Sequence, residues 1–173
     1  MADVERTIVE LQNMLSPYEQ ELRDLIVSMS PPHGGAGMAG NATATVITAQ
    51  SVFVNVAGTR VPSGFPHLIT EATTGRLTYT GRSPRHFHIV ANMDMLCDSG
   101  NQVLAFQWFR NGTAIGVPVK RKIGVGTDIG AASIHADAVL SKDDYLELRV
   151  ANDTGTANVT VQNLYVFAMG MLM

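Results

Sequence analysis

The residues of this chain best suited to chemistry are its histidines and the polar residues spaced two positions from them. His86-Phe87-His88 puts two imidazoles on one face of an extended segment, about 7 Å apart by strand rise. With Arg85 beside them, or with symmetry copies at an axis, His86 and His88 could hold a metal ion or an anion. A zinc centre needs a third and a fourth ligand that the sequence does not locate, so the pair reads first as a polar strand face. Ser133, His135 and Asp137 alternate along one segment and supply the three residue types of a hydrolytic triad. A triad converges from different elements onto one substrate atom beside an oxyanion hole. Side chains in register on one strand point in parallel, so a polar strand face is expected here too.

The other candidates carry less. Residues 124–130, Gly-Val-Gly-Thr-Asp-Ile-Gly, lack the Gly-Lys-Ser/Thr ending and the helix start of a phosphate loop. Cys97 is the one cysteine, which excludes an internal disulfide and a cysteine zinc centre. It ends an apolar segment containing Met93 and Met95, with no basic neighbour, and is expected to be an inert buried thiol. Asp94, Asp98, Asp143 and Asp144 show no calcium-loop spacing. No catalytic residue, no cofactor and no enzymatic activity are expected.

Composition points to assembly. The chain of 173 residues is 46% hydrophobic and only 16% charged, against the roughly 25% typical of globular domains. A surface poor in Lys and Glu suits contact with other protein. Net charge is −3, and the one basic cluster, Lys120-Arg121-Lys122, is too short to neutralise a nucleic-acid backbone. No apolar run reaches the roughly 20 residues that span a bilayer. Neither nucleic acid nor membrane is an expected partner. The first residues do not form a secretory signal, so folding in a reducing cytoplasm is expected. On that reading the sequons at Asn41, Asn111, Asn152 and Asn158 are chance matches.

Three regions position these residues. In residues 1–30, Val4, Ile8, Leu11, Leu15, Tyr18, Leu22, Leu25 and Met29 recur at alternating spacings of four and three, a heptad seam. Ser16-Pro17-Tyr18-Glu19 reads as a helix start, with Ser16 as N-cap and Glu19 closing a capping box. Two helices, roughly 3–15 and 17–29, are therefore expected as an arm for anchoring or oligomerisation. Residues 31–41, with Pro31, Pro32 and four glycines, read as a flexible linker. From residue 42 to 173 strand signals follow one another: 45–56, 68–71, 76–80, 86–96, 103–110, 115–123, 132–140, 145–151 and 158–169. Asn111-Gly112 and similar pairs supply the turns between them. Nine short strands predict an all-β sandwich or barrel.

Two of these strands are apolar on both faces. Phe106 and Trp108 oppose Val103, Ala105 and Phe109; Val159, Val161, Tyr165, Phe167 and Met169 oppose Leu164, Val166 and Ala168. A strand apolar on both faces must be covered on both, and the second cover is expected from another subunit.

The segments "TGRLTYTG", "RHFHIVANMDM", "VLAFQWFRNGTAI", "SIHADAVLSKDDYLELRVAN" and "VTVQNLYVFAM" stand in an order that resembles the tumour-necrosis-factor and complement globular-head superfamily. The matching marks are Leu77, Tyr79 and Gly81; Asn111 and Gly112; and Leu140, Asp144, Tyr145 and Leu148, within residues 76–173. Lys142-Asp143-Asp144 departs from the pattern in lacking its usual glycine. The resemblance implies an antiparallel jelly-roll sandwich that assembles as a homotrimer. With no secretion signal and a short helical arm, the chain looks like the virion proteins of tailed phages that carry this fold.

That implies a trimeric capsid decoration or head-fibre protein, assembled in the host cytoplasm and located in the virion. Its arm, residues 1–30, would dock the knob onto the major capsid or another virion protein. The expected oligomer interface is Ile8, Leu11, Leu15, Tyr18, Leu22 and Leu25 in the arm, with Phe106, Trp108, Tyr165 and Phe167 in the knob. The competing readings are a receptor- or glycan-binding head at a tail tip, and a jelly-roll enzyme.

Overall fold

A computed structural model describes residues 17–19, 21, 30–125 and 128–171, and the chain divides into two compact units, Met1–Pro31 and Pro32–Met173. In the first unit, residues 17–19 and 21 are helical and Tyr18 is exposed. Ile8, Leu11, Leu15, Leu22 and Leu25 lie outside the described residues. No helix among the described residues is long and apolar enough to cross a membrane.

The second unit is all antiparallel β. Its strands are β1 (His33–Met38), β2 (Val54–Asn55), β3 (Val61–Pro62), β4 (Ile69–Glu71), β5 (Leu77–Tyr79), β6 (Arg85–Cys97), β7 (Gln102–Arg110), β8 (Thr113–Ile123), β9 (Gly130–Leu140), β10 (Tyr145–Asn152) and β11 (Val159–Gly170). They form two sheets, β3-β1-β11-β6-β9 and β4-β5-β10-β7-β8, with β2 paired to β10. Eight of the nine expected strands sit within a residue or two of their places. Between residues 45 and 56 only β2 is a strand. Before it, Thr45 bridges Val159, and its hydroxyl accepts a hydrogen bond from the Ala57 amide.

Alternation builds the core. Phe87, Ile89, Ala91, Met93 and Met95 of β6 face Leu146, Leu148 and Val150 of β10 and Leu104, Phe106 and Trp108 of β7 across the sandwich. Trp108 is fully buried opposite Leu148 in the ladder, and Phe106 opposite Val150. The marks of the Leu-x-Tyr-x-Gly segment have a mechanical basis. Leu77 and Tyr79 are buried, the Tyr79 hydroxyl donates to the Ser83 carbonyl at 2.8 Å, and Gly81 leaves the space that the Tyr79 ring fills. At the β7–β8 hairpin, Asn111 (φ 50°) and Gly112 (φ 79°) make the left-handed turn. Asn111 Oδ1 accepts from the Tyr145 amide at 2.9 Å, and Asp144 accepts from Asn111 Nδ2 and from the Ser141 amide.

Two expectations are corrected. Residues 31–41 are not simply a linker: β1 lies within them, hydrogen-bonded to β11 on one side and to β3 on the other. Its Gly-rich composition is a packing requirement, since a Cβ on Gly35 would lie 2.6 Å from the Val166 carbonyl oxygen and 2.9 Å from the Phe167 ring. The faces of β11 also differ from simple alternation. Val161 pairs with Met95 and Asn163 with Asp94, so Gln162 is an extra residue, a β-bulge that shifts the side-chain phase by one. Val159 and Val161 therefore share the core with Leu164, Val166 and Ala168, while Tyr165, Phe167 and Met169 turn outward. The Asp94 carboxylate holds the bulge, accepting from the Asn163 amide at 3.0 Å and from its side-chain Nδ2 at 2.9 Å.

On the outward face of the other sheet, Glu147 is buried between Arg76 and Arg149. Each guanidinium donates to one of its oxygens at 2.8 Å. Burial alone would raise its pKa; the hydrogen bonds from Arg149 and Arg76 outweigh burial and hold it below the ordinary value. A depressed folded pKa contributes stability that is full above the unfolded value, about 4.3, and is lost as pH falls through the folded one. Urea midpoints should therefore decline below about pH 4.3, and Glu147→Gln should flatten part of that decline while costing about 1–2 kcal/mol at pH 7. Asp94→Ala should cost about 1 kcal/mol and lower Tm by about 2–4 °C, measured by calorimetry. An unchanged Tm would show that core packing sets the bulge without its clamp.

Candidate functional site

The outward face of the β3-β1-β11-β6-β9 sheet is a lattice fixed by strand register. One row reads Val61, Gly37, Tyr165, Asn92, Ser133; the next Gly35, Phe167, Val90, His135; the third His33, Met169, His88, Asp137. Tyr165 and Phe167 are stacked, with centroids 6.3 Å apart and planes 13° from parallel, and they lean over the side-chain-free backbone of β1. Apolar side chains remain open on this face: Val61 is 71% exposed, Tyr165 47%, Met169 46% and Val139 39%. Among its described outward residues in β1, β11, β6 and β9 there is no Lys, Arg or Glu; the carboxylates are Asp94 and Asp137. An open groove of about 650 Å³ adjoins Tyr165, lined also by Met38, Asn92, Asp94, Ser133 and Asn163.

The opposite outer face contrasts with it. Lys120, Lys122, Glu147 and Arg149 stand outward there, and Lys120 Nζ pairs with Asp153 at 2.7 Å. Phe109 on this face is covered by the chain itself, while Val117 in the edge strand β8 is exposed. Phe53 packs on Phe109 at 5.5 Å between centroids, and the Arg149 guanidinium lies 4.4 Å above the Phe109 ring. This corrects the placing of Phe106 and Trp108 at an oligomer interface. Both are wholly inside the subunit, and the second face of β7 needs no neighbour.

The histidines are brought together differently from their spacing in sequence. His88 turns to β9, not to His86. Its Nδ1 lies 2.8 Å from Asp137 Oδ1 and its Nε2 lies 3.2 Å from His135 Nδ1. His135 Nε2 is 3.5 Å from Ser133 Oγ, which donates to Asn92 Oδ1 at 2.7 Å. Ser133, His135 and Asp137 are thus linked, but through His88 and not as a triad: Asp137 orients His88, while the Ser133 proton goes to Asn92. The network lies on a flat ladder whose backbone amides already pair between strands, which leaves no oxyanion hole. No group of three or more His, Cys, Asp or Glu among the described residues is arranged to hold a metal ion.

Other candidate residues have structural work. Cys97 is buried in the core, and burial raises its pKa, so it stays a protonated thiol. Asn152, fully buried, donates to Gln102 and the Ala157 carbonyl and accepts from the Thr154 and Gly155 amides. Arg60, which the sequence does not single out, is buried too. It donates to the carbonyls of Val56, Gly58 and Thr74, and burial lowers its pKa.

No protein-family model matches the chain, and no curated protein matches it in sequence. Among solved structures it is similar to the vertex protein P5 of phage PRD1, with 10% identity and a TM-score of 0.52 over 81% of this chain and 73% of that one. Similar too is the crystal structure of murine APRIL at pH 5.0, with 8% identity and a TM-score of 0.51 over 80% and 99%. The Eiger TNF of S. frugiperda aligns with 14% identity and a TM-score of 0.48 over 82% and 94%. At such identities the likeness is one of fold, and the knob is a jelly-roll sandwich of the tumour-necrosis-factor type, a form that also occurs in a phage vertex protein.

Proposed function

We propose that the chain is a structural protein of a phage particle: a homotrimeric jelly-roll knob of the capsid-decoration or head-fibre kind, docked by residues 1–30. The observation that carries this reading is the outward face of the five-stranded sheet. Stacked Tyr165 and Phe167, with Val61, Met169 and Val139, form an apolar surface, and the described outward residues of β1, β11, β6 and β9 include no Lys, Arg or Glu. Burying one such large side chain contributes about 1.5–3 kcal/mol, so a few per subunit suffice to drive association. A face of this kind, set against a charged opposite sheet, fits contact with copies of the chain. The occurrence of the fold in a phage vertex protein supports a place in the particle. The heptad spacing from Ile8 to Leu25 in the sequence supports giving residues 1–30 the contact with the major capsid or another virion protein.

The full chain should sediment at three times its own mass. Tyr165→Lys combined with Phe167→Lys should yield folded monomers, because both side chains lie outside the core. A trimer that survives this double change, or a monomeric wild type, overturns the assembly reading. Removing residues 1–30 should abolish binding to empty capsids in a co-sedimentation assay while leaving the knob folded by circular dichroism. Capsid binding by the truncated protein would show that the arm is not the anchor.

A further inference from the structure

We propose that His88 and His135 form a two-imidazole chelate for a divalent transition-metal ion of the zinc class, with Asp137 and Ser133 as positioning residues. The argument is one of proton placement. Asp137, a carboxylate, accepts from His88 Nδ1 at 2.8 Å, so the proton of neutral His88 is on Nδ1 and its Nε2 carries a lone pair. The Ser133 hydroxyl donates its hydrogen bond to Asn92 Oδ1 at 2.7 Å. The proton available between Ser133 Oγ and His135 Nε2, 3.5 Å apart, is then the imidazole's own. That leaves His135 Nδ1 with a lone pair as well. The two bare nitrogens face each other at 3.2 Å, with ring centroids 5.3 Å apart. In that tautomer state a bridging cation, a proton or a metal ion, satisfies both nitrogens.

The spacing suits a metal. An ion about 2.0–2.1 Å from each nitrogen would subtend about 100° at a separation of 3.2 Å, close to the tetrahedral angle. The outer partners are those that metal-bound histidines use: a carboxylate on the far nitrogen of one ring and a hydroxyl on that of the other. Only two side chains converge, so two positions of a tetrahedral ion stay open to water or to a donor from a neighbouring copy. Such a site binds exchangeably. All its donors belong to one chain, and it stands independently of the assembly reading.

The test is zinc titration by calorimetry of the untagged, chelator-stripped full chain near pH 7.5. The wild type should take up one zinc per chain. His88→Gln and His135→Gln should each abolish this uptake, Asp137→Asn should weaken it about 10- to 100-fold, and His86→Gln should leave it unchanged. All four positions lie on the sheet surface, and matching thermal melts will confirm that each variant is folded. The Tyr165→Lys/Phe167→Lys protein should still bind, which separates this site from the fate of the trimer. No uptake by the wild type would mean that a proton alone bridges the pair. Equal uptake by the His88 and His135 variants would place the zinc elsewhere. Either result overturns the proposal.

Discussion

The structure of the knob turns on one residue of backbone at Gln162. Because side chains alternate along a strand, a single-residue insertion exchanges every position beyond it between core and surface. Here the exchange puts Leu164, Val166 and Ala168 under the sheet with Val159 and Val161, and puts Tyr165, Phe167 and Met169 above it. β11 lies between β1 and β6, so its phase also determines what those neighbours meet. β1 is shaved to glycine where the two aromatic rings lean over it, and β6 aligns Val90 and Asn92 beside them. Asp94 pins the insertion from the neighbouring strand, which makes a short polar clamp responsible for the character of a whole face.

The two sheets then divide their work. The six-stranded sheet covers Phe109 with Phe53 and Arg149, buries Glu147 between Arg76 and Arg149, and keeps its lysines in water. The five-stranded sheet leaves aromatic and aliphatic groups open and carries a relay of imidazole, carboxylate, hydroxyl and amide instead of lysines. The relay and the aromatic pair share rows of one lattice, so anything that shifts β6 against β9 or β11 would disturb both.

Much of this was legible in the sequence, because strands that alternate cleanly around large apolar residues announce themselves. The long strands from β6 to β11 belong to that class, as does the Asn111-Gly112 turn. β1 was not legible: five of its six residues are His, Gly or Ala, which reads as linker, and only the rings above it explain why side chains are excluded. Nor could the phase of β11 be read, since Val161-Gln162-Asn163-Leu164 alternates plausibly either way without knowing what Asp94 reaches. The histidine network was half visible. His88 and His135 each stood out, but they are 47 residues apart and meet only through a ladder register that periodicity alone does not supply.

The place of β1 has a mechanical consequence. Pro32 leads directly into a strand held by backbone hydrogen bonds on both sides. Those bonds run across the strand, so a pull along its axis loads the β1–β11 ladder in shear, with its bonds sharing the force. A tether entering at an edge strand such as β8 or β9 would have a single ladder to resist it. A force entering at Pro32 is therefore shared along an interior strand instead of peeling a sheet edge bond by bond.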